Sequence, residues 1–200
     1  MICGIDEAGR GPLAGPVCAA AVILPDDFPI EILNDSKKLS ATNRESAKRQ
    51  ICSKALAWGI GWASSFEIDE INILKASLLA MKRAFESMRT QTGILADGQF
   101  PVGQLGASSL EAIVDGLYTP DISIPCKALV KADSKVPEVM AASILAKTAR
   151  DRIMEIYSLF YPEYGYTQHK GYPTKAHRQA IASFGPSPIQ RMTFSVKLEN

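Results

Sequence analysis

Asp6 and Glu7 stand side by side between two short apolar runs, Met1–Ile5 and Pro16–Leu24, and Gly9-Arg10-Gly11-Pro12 follows them. Apolar runs of this length, bounded by Gly and Pro, read as buried strands. The two carboxylates then fall at the end of a core strand, where charge needs a cation or a metal for a partner. A hairpin with an acidic, solvated tip accounts for Asp6-Glu7 equally well. The flanking glycines tilt the balance, because exposed N–H groups beside Arg10 suit a phosphate. The pattern recurs at Gly93–Asp97, another apolar run that ends on an acid and is followed by Gly98. A lone Asp-Gly marks a turn, so the weight lies in the recurrence. A third run, Ile122–Val130, leads into Lys131-Ala132-Asp133-Ser134-Lys135, where two lysines would keep Asp133 ionised or form a surface salt-bridge cluster. Asp6, Glu7, Asp97 and Asp133 at the ends of three strands are what a pair of hard divalent cations needs. Two such ions, about 3.5–4 Å apart, activate a water on one side of a phosphodiester and stabilise the leaving oxygen on the other. Without metal the four acids repel, so the site is expected to be metal-dependent and locally weaker when empty.

These acids need a scaffold, and the chain spells out most of one. Met1–Ile5 and Pro16–Leu24 form a hairpin, closed off by the turn signal Pro25-Asp26-Asp27. Asp35-Ser36-Lys37-Lys38 is a loop where Ser36 and Lys37 could hold a phosphate or serve as a cap and a solvated lysine. Ser40 caps a helix over Ala41–Ala57, with Ala47, Ile51 and Ala55 on one face. Trp58–Ser64 reads as a strand. A helix starting at Ser65 or Asp69 carries a core stripe of Ile71, Leu74, Leu78 and Phe85. Phe100–Asp121 reads as loop with a short helix over Ser109–Leu117. The clearest helix is Val136–Tyr157, whose stripe of Val139, Ala142, Ala146 and Ala149 permits close packing on a sheet. Asp151 between two arginines reads as a structural ion pair. Pro162–Thr174 is a loop rich in Tyr and Gly, and a last helix over about Thr174–Ser183 stops at Gly185-Pro186. The predicted class is α/β, a mixed sheet flanked by helices with a helical C-terminal tail, in one domain over residues 1–200.

Length and composition agree with a single core. Of 200 residues 46% are hydrophobic and 22% charged, no run reaches membrane-spanning length, and the N-terminus lacks a basic leader, so a cytoplasmic protein is expected. The four cysteines are widely spaced, which suits buried free thiols rather than disulfides or zinc. Net charge is only +1, yet residues 1–34 hold five acids and one Arg, whereas Tyr164–Leu198 holds Lys170, Lys175, Arg178, Arg191 and Lys197 with no acid. A metal centre beside a phosphate-binding surface at about residues 160–200 fits that asymmetry, and so does an ordinary solvated face.

Five blocks give the chain a family likeness: GIDEAGRGPLAGPV (Gly4–Val17), DSKKL (Asp35–Leu39), ADG (Ala96–Gly98), KADSKVPEVMAASILAKTARDR (Lys131–Arg152) and YGYTQHKGYPTKAH (Tyr164–His177). In content and order they resemble bacterial ribonuclease HII. The resemblance implies the ribonuclease H fold and hydrolysis of RNA in RNA/DNA hybrids. It also implies cutting 5′ of single ribonucleotides in duplex DNA, leaving a 5′-phosphate and a 3′-hydroxyl. It maps the metal-site acids onto Asp6, Glu7, Asp97 and Asp133, with two Mg²⁺ or Mn²⁺ ions. It maps the reader of the 2′-hydroxyl onto Gly9, Arg10 and Gly11. Tyr172 becomes the tyrosine packed on the following deoxyribose, and Ser36, Lys37 and Lys147 become phosphate contacts. His169 and His177 belong to the match without an assigned step. The segment around Gly103–Asp121 is longer than the family pattern. Nucleic acid is the expected partner of a monomer, without membrane, and a sliding clamp or polymerase is a conceivable recruiter.

Three other readings compete. The sister type III enzyme carries an additional N-terminal domain, whereas here the acidic strand starts at residue 2. A binding module without catalysis would not need all four acids. A nucleotide-binding P-loop is excluded because GRGPLAG lacks the Lys-Ser/Thr ending.

Overall fold

The structure is a computed structural model that describes residues 1–33, 40–92 and 110–196. Five strands form one mixed sheet in the order β3-β2-β1-β4-β5. They are β1 (Ile2–Ala8), β2 (Val17–Ile23), β3 (Ala57–Ala63), β4 (Glu111–Asp115) and β5 (Cys126–Leu129). β2 runs antiparallel to both of its neighbours, β1 and β3, whereas β4 and β5 continue the sheet parallel to β1. The helices are α1 (Ala41–Lys54), α2 (Ser65–Thr92), α3 (Pro137–Phe160), α4 (Tyr166–His169) and α5 (Lys175–Phe184).

Strand alternation sorts the core into two layers. Cys3 and Ile5 of β1, Ala19 and Ala21 of β2, and Ala112 and Val114 of β4 face α2, where Ala80, Ala84, Phe85 and Met88 meet them. Cys18, Ala20 and Val22 face the opposite way, against Ala141, Ala142, Leu145 and Ala146 of α3 and Ile51 of α1. The alanine stripe predicted on α3 does what its size suggests. A Cβ at Gly4 would collide with the α3 backbone at Glu138 and Val139, so helix and strand approach as closely as chains can. α2 breaks at Asn72, which has φ +67° and whose side-chain oxygen accepts from the N–H groups of Leu74 and Lys75.

Most sequence-based boundaries hold within a few residues. Ser40 caps α1 by accepting from Asn43 N at 3.2 Å. Cys3 and Cys18 are buried free thiols. Three expectations change. The stretch Pro162–Thr174, expected as a loop, holds a 3-10 turn over Pro162–Tyr164 and the short helix α4. The short helix over Ser109–Leu117 is instead β4, a strand inside the sheet: Glu111–Asp115 alternates half-buried and buried residues, the pattern of a strand with one face on the core. The strand over Ile122–Val130 shortens to Cys126–Leu129. The predicted strand Gly93–Asp97, and with it Asp97, lies outside the described residues, as do Ser36 and Lys37. No helix among the described residues is long and apolar enough to cross a membrane.

Candidate active site

Parallel pairing decides which acids meet. β1 and β4 run in register from Ile2–Glu111 to Ile5–Val114, so the next positions of the two strands are Asp6 and Asp115. Neighbours in parallel register share a face, and this is the face on which α3 lies. Asp6 is 5% exposed; its Oδ1 accepts from Glu7 N at 2.8 Å, and the Ser143 hydroxyl of α3 hydrogen-bonds it. Burial, followed by the charges of Glu7 and Asp115, pushes the Asp6 carboxyl well above the usual carboxylate range. Burial also raises Glu7, although Arg10 opposes the shift from 3.2 Å. The second Glu7 oxygen, Oε2, is buried without a hydrogen-bond partner.

Asp6, Glu7 and Asp115 line one cleft of about 230 Å³ with Arg10, Gly11, Ser143, Lys147 and Tyr172. The structure therefore gathers most of the residues singled out from sequence and puts Asp115 where the strand-end argument had placed Asp97. Asp133 occupies a 3-10 turn, Ala132–Ser134, that does not line this cleft but is tied to it, because Ala132 N donates to Asp115 Oδ1 at 2.8 Å. Among the described residues no three acid, His or Cys side chains are already closed into a cluster that could hold a metal. The donor chemistry still fits hard divalent ions: the acids are all oxygen donors, one oxygen is orphaned, and the raised carboxyls mark a site short of positive charge.

Lys147 reaches the cleft while donating to Asp151 Oδ1 at 2.6 Å, and Asp151 also pairs with Arg44 at 3.5 Å. Asp151 is thus a structural ion-pair residue, though its partners are not the arginines beside it in sequence. Tyr172 is 41% exposed at the cleft mouth. Its backbone is held by the main chain of His169 and the imidazole of His177, two residues whose rings stack with centroids 4.5 Å apart. His169 O accepts from Tyr172 N at 2.8 Å, and His177 Nδ1 lies 3.0 Å from Tyr172 O. Both histidines are buried, and burial pushes both imidazoles below their ordinary range. They support the tyrosine and do not reach the acids' cleft.

The basic tail needs correction. Arg191 has no exposed surface, so it belongs to the interior and not to a face for a duplex. Lys170 is committed to Glu155 at 2.9 Å and to Thr167 O at 2.8 Å.

A family model described as Ribonuclease HII matches residues 3–197. The chain belongs to the ribonuclease HII family. A ribonuclease HII of Treponema denticola is 56% identical over 203 residues, covering 98% of this chain and 99% of that protein. Among solved structures, the ribonuclease HII of Archaeoglobus fulgidus, determined in complex with PCNA, matches with a TM-score of 0.71 and 25% identity, covering 100% of this chain and 98% of that one. The ribonuclease H2 of Pyrococcus horikoshii OT3 matches with a TM-score of 0.69 and 23% identity, covering 98% and 94%. The mixed sheet is thus the ribonuclease H-like fold, and the family assigns the chain as an endoribonuclease of RNA/DNA hybrids.

Sequence reasoning missed Asp115. Its signal was present, a strand-like EAIVD followed by Gly116, but it was masked by the helical reading of Ser109–Leu117. Ser143, Arg150 and Arg191 carried no such signal, because their roles depend on contacts across the fold.

Proposed function

We propose that this ribonuclease HII also cuts 5′ of single ribonucleotides embedded in duplex DNA, using two divalent ions held by Asp6, Glu7, Asp115 and Asp133. Asp115 replaces Asp97 in this reading. The observation that carries it is the register of β1 and β4, which sets Asp6 and Asp115 side by side in a cleft shared with Gly11 and Tyr172. The ions, when bound, supply an activated water and stabilise the leaving oxygen.

The chain's own groups do the rest. Ser143 orients Asp6 through its hydroxyl, and the Glu7 oxygen left without a partner is free to take an ion. Arg10, with half of its side chain exposed, holds Glu7 and lies where an incoming phosphate meets a cation. Gly9 and Gly11 let the strand approach a sugar edge, and a 2′-hydroxyl is the group that separates RNA from DNA. A Cβ built on Gly11 would sit 3.6 Å from Tyr172 Cε1, so loop and ring form the two sides of a slot for the junction sugars. Lys147, together with Ser36 and Lys37, which precede α1 in the sequence, completes the proposed phosphate contacts.

The deciding experiment is cleavage of a DNA duplex carrying one ribonucleotide, with Mg²⁺, Mn²⁺ or chelator, beside an all-DNA control and a long hybrid. A metal-dependent cut 5′ of the ribonucleotide, weakened more on that substrate than on the hybrid by Tyr172→Ala, supports the reading. Cleavage of long hybrids alone would remove the junction roles of Gly9–Gly11 and Tyr172.

A further inference from the structure

The loop between β1 and β2, residues 9–16, turns its carbonyls inward. Buried carbonyls must find donors, and here they find two arginines. Arg191 donates to five of them: Gly9 O at 2.6 Å, Pro12 O at 2.8 Å, Gly15 O at 2.9 Å, Arg10 O at 3.0 Å and Pro16 O at 3.3 Å. Arg150 donates to Pro16 O at 3.0 Å, Ala14 O at 3.2 Å and Lys170 O at 3.0 Å. Both guanidiniums are essentially fully buried, and among the described residues neither forms an ion pair with a carboxylate.

Two buried cations without an ion-pair partner are costly, and backbone dipoles supply the hydrogen-bonded compensation, with Asp69 acting on Arg191 and Asp151 on Arg150 from farther away. Only a guanidinium offers five N–H groups in a planar fork; an ammonium has three on one atom. The arrangement also explains Gly9. A Cβ there would overlap Arg150 Nε and Cδ, so the first glycine of the reader makes room for the arginine beneath it. Arg150 reaches the other half of the slot as well. Its guanidinium carbon lies 6.0 Å from the Tyr172 ring centroid, and Leu13 N donates to Gly171 O at 2.8 Å. After Arg191, Asp69 fastens the chain by accepting from Met192 N at 2.8 Å and Thr193 N at 2.9 Å.

We propose that Arg150 and Arg191 are positioning residues that lock the Gly9–Pro16 loop and the Tyr172 segment into one rigid reader of the RNA-to-DNA junction. The proposal rests on the junction role assigned above to Gly9–Gly11 and Tyr172. It predicts a selectivity defect, because misplacing a substrate-holding loop costs far more where one sugar must be recognised than where every sugar of the strand is RNA. The acids stand on β1, β4 and the Ala132–Ser134 turn, so their metal response is expected to persist.

The test compares kcat/KM of Arg191→Lys, Arg191→Met and Arg150→Lys on a single-ribonucleotide duplex and on a long hybrid. Thermal unfolding with and without Mg²⁺ is measured on the same samples. The expected loss on the single ribonucleotide exceeds that on the hybrid by roughly tenfold or more, with the Mg²⁺-induced shift in Tm retained. Equal losses on both substrates, or none, overturn the proposal. If Arg191→Met fails to fold, Arg150→Lys, which keeps the charge and removes the fork, decides the matter alone. If Tyr172→Ala loses junction cleavage while the arginine variants keep it, the junction reading stands and this proposal falls. If the wild type does not cut single ribonucleotides at all, it is the junction reading that fails.

Discussion

Gly9→Ala is the sharpest probe of how the loop is built. Gly9 has φ +100°, where an L side chain is strained by about 1–2 kcal/mol. Its new methyl would also occupy the space of Arg150 Nε and Cδ. Arg150 cannot swing aside freely, because it is buried and bonded to three carbonyls at 3.0–3.2 Å. Forcing it out adds overpacking and weakened bonds of about 2–3 kcal/mol. The total is about 4 kcal/mol, or a drop of about 8–16 °C in Tm for a domain of this size. Two other glycines serve as controls. Gly116 has φ +117° with nothing within 4 Å of a built Cβ, so alanine there incurs strain alone, about 1–2 kcal/mol. Gly11 has no such φ and meets only Tyr172 at an ordinary 3.6 Å, so alanine there leaves the stability within about 0.5 kcal/mol of wild type. Differential scanning fluorimetry and chemical denaturation rank the three. The double variant Gly9→Ala/Arg150→Ala is expected to fall short of the sum of its parts, since the clash vanishes with the arginine. A Gly9→Ala protein no less stable than Gly116→Ala, or strictly additive effects in the double variant, would refute the seat of Arg150 under the loop.

Three further outcomes follow from the site. Asp115→Asn abolishes cleavage, whereas Asp97→Asn retains it; the reverse pattern in a hybrid-cleavage assay would return the third acid to Asp97. Mg²⁺ at about a hundred times its dissociation constant adds about 2.7 kcal/mol, a rise in Tm of about 5–11 °C, in wild type and Asp97→Asn but not in Asp6→Asn; an unchanged shift in Asp6→Asn would remove that carboxylate from the metal site. Burial holds His169 and His177 neutral, below the ordinary 6.5, while the unfolded chain takes up protons there. Stability is therefore lost as pH falls below about 6.5, by up to about 1.4 kcal/mol per histidine for each unit of pH. The buried acids push the metal-free enzyme the opposite way in every variant, so the difference between wild type and His177→Asn across pH 5.5–7.5 isolates the imidazole, and parallel curves would contradict its buried, neutral state.

Periodicity and punctuation reveal an element when its neighbours along the chain decide its state. The first hairpin, α1 with its Ser40 cap and the alanine face of α3 are of that kind, and each was legible before the structure. β4 is not. Leu110–Leu117 holds apolar residues at spacings that suit a helix as well as a strand, and a short run cannot separate the two. What makes it a strand is a partner far away in sequence: the exposed edge of β1, already paired on its other side with β2, supplies hydrogen bonds to Glu111–Val114. The same non-local fact carries the proposal of Asp115 as the third acid. Gly93–Asp97 and Glu111–Asp115 both end on Asp-Gly, and only pairing with β1 says which carboxylate stands beside Asp6. Arg191 shows the converse. A count of charges puts it on a basic surface, yet five inward carbonyls of the 9–16 loop form a polar interior that its one buried guanidinium satisfies. Asp6 and Glu7 follow from the end of β1, which the sequence announces. The groups that hold the 9–16 loop in shape follow from where its carbonyls point, which the sequence does not announce.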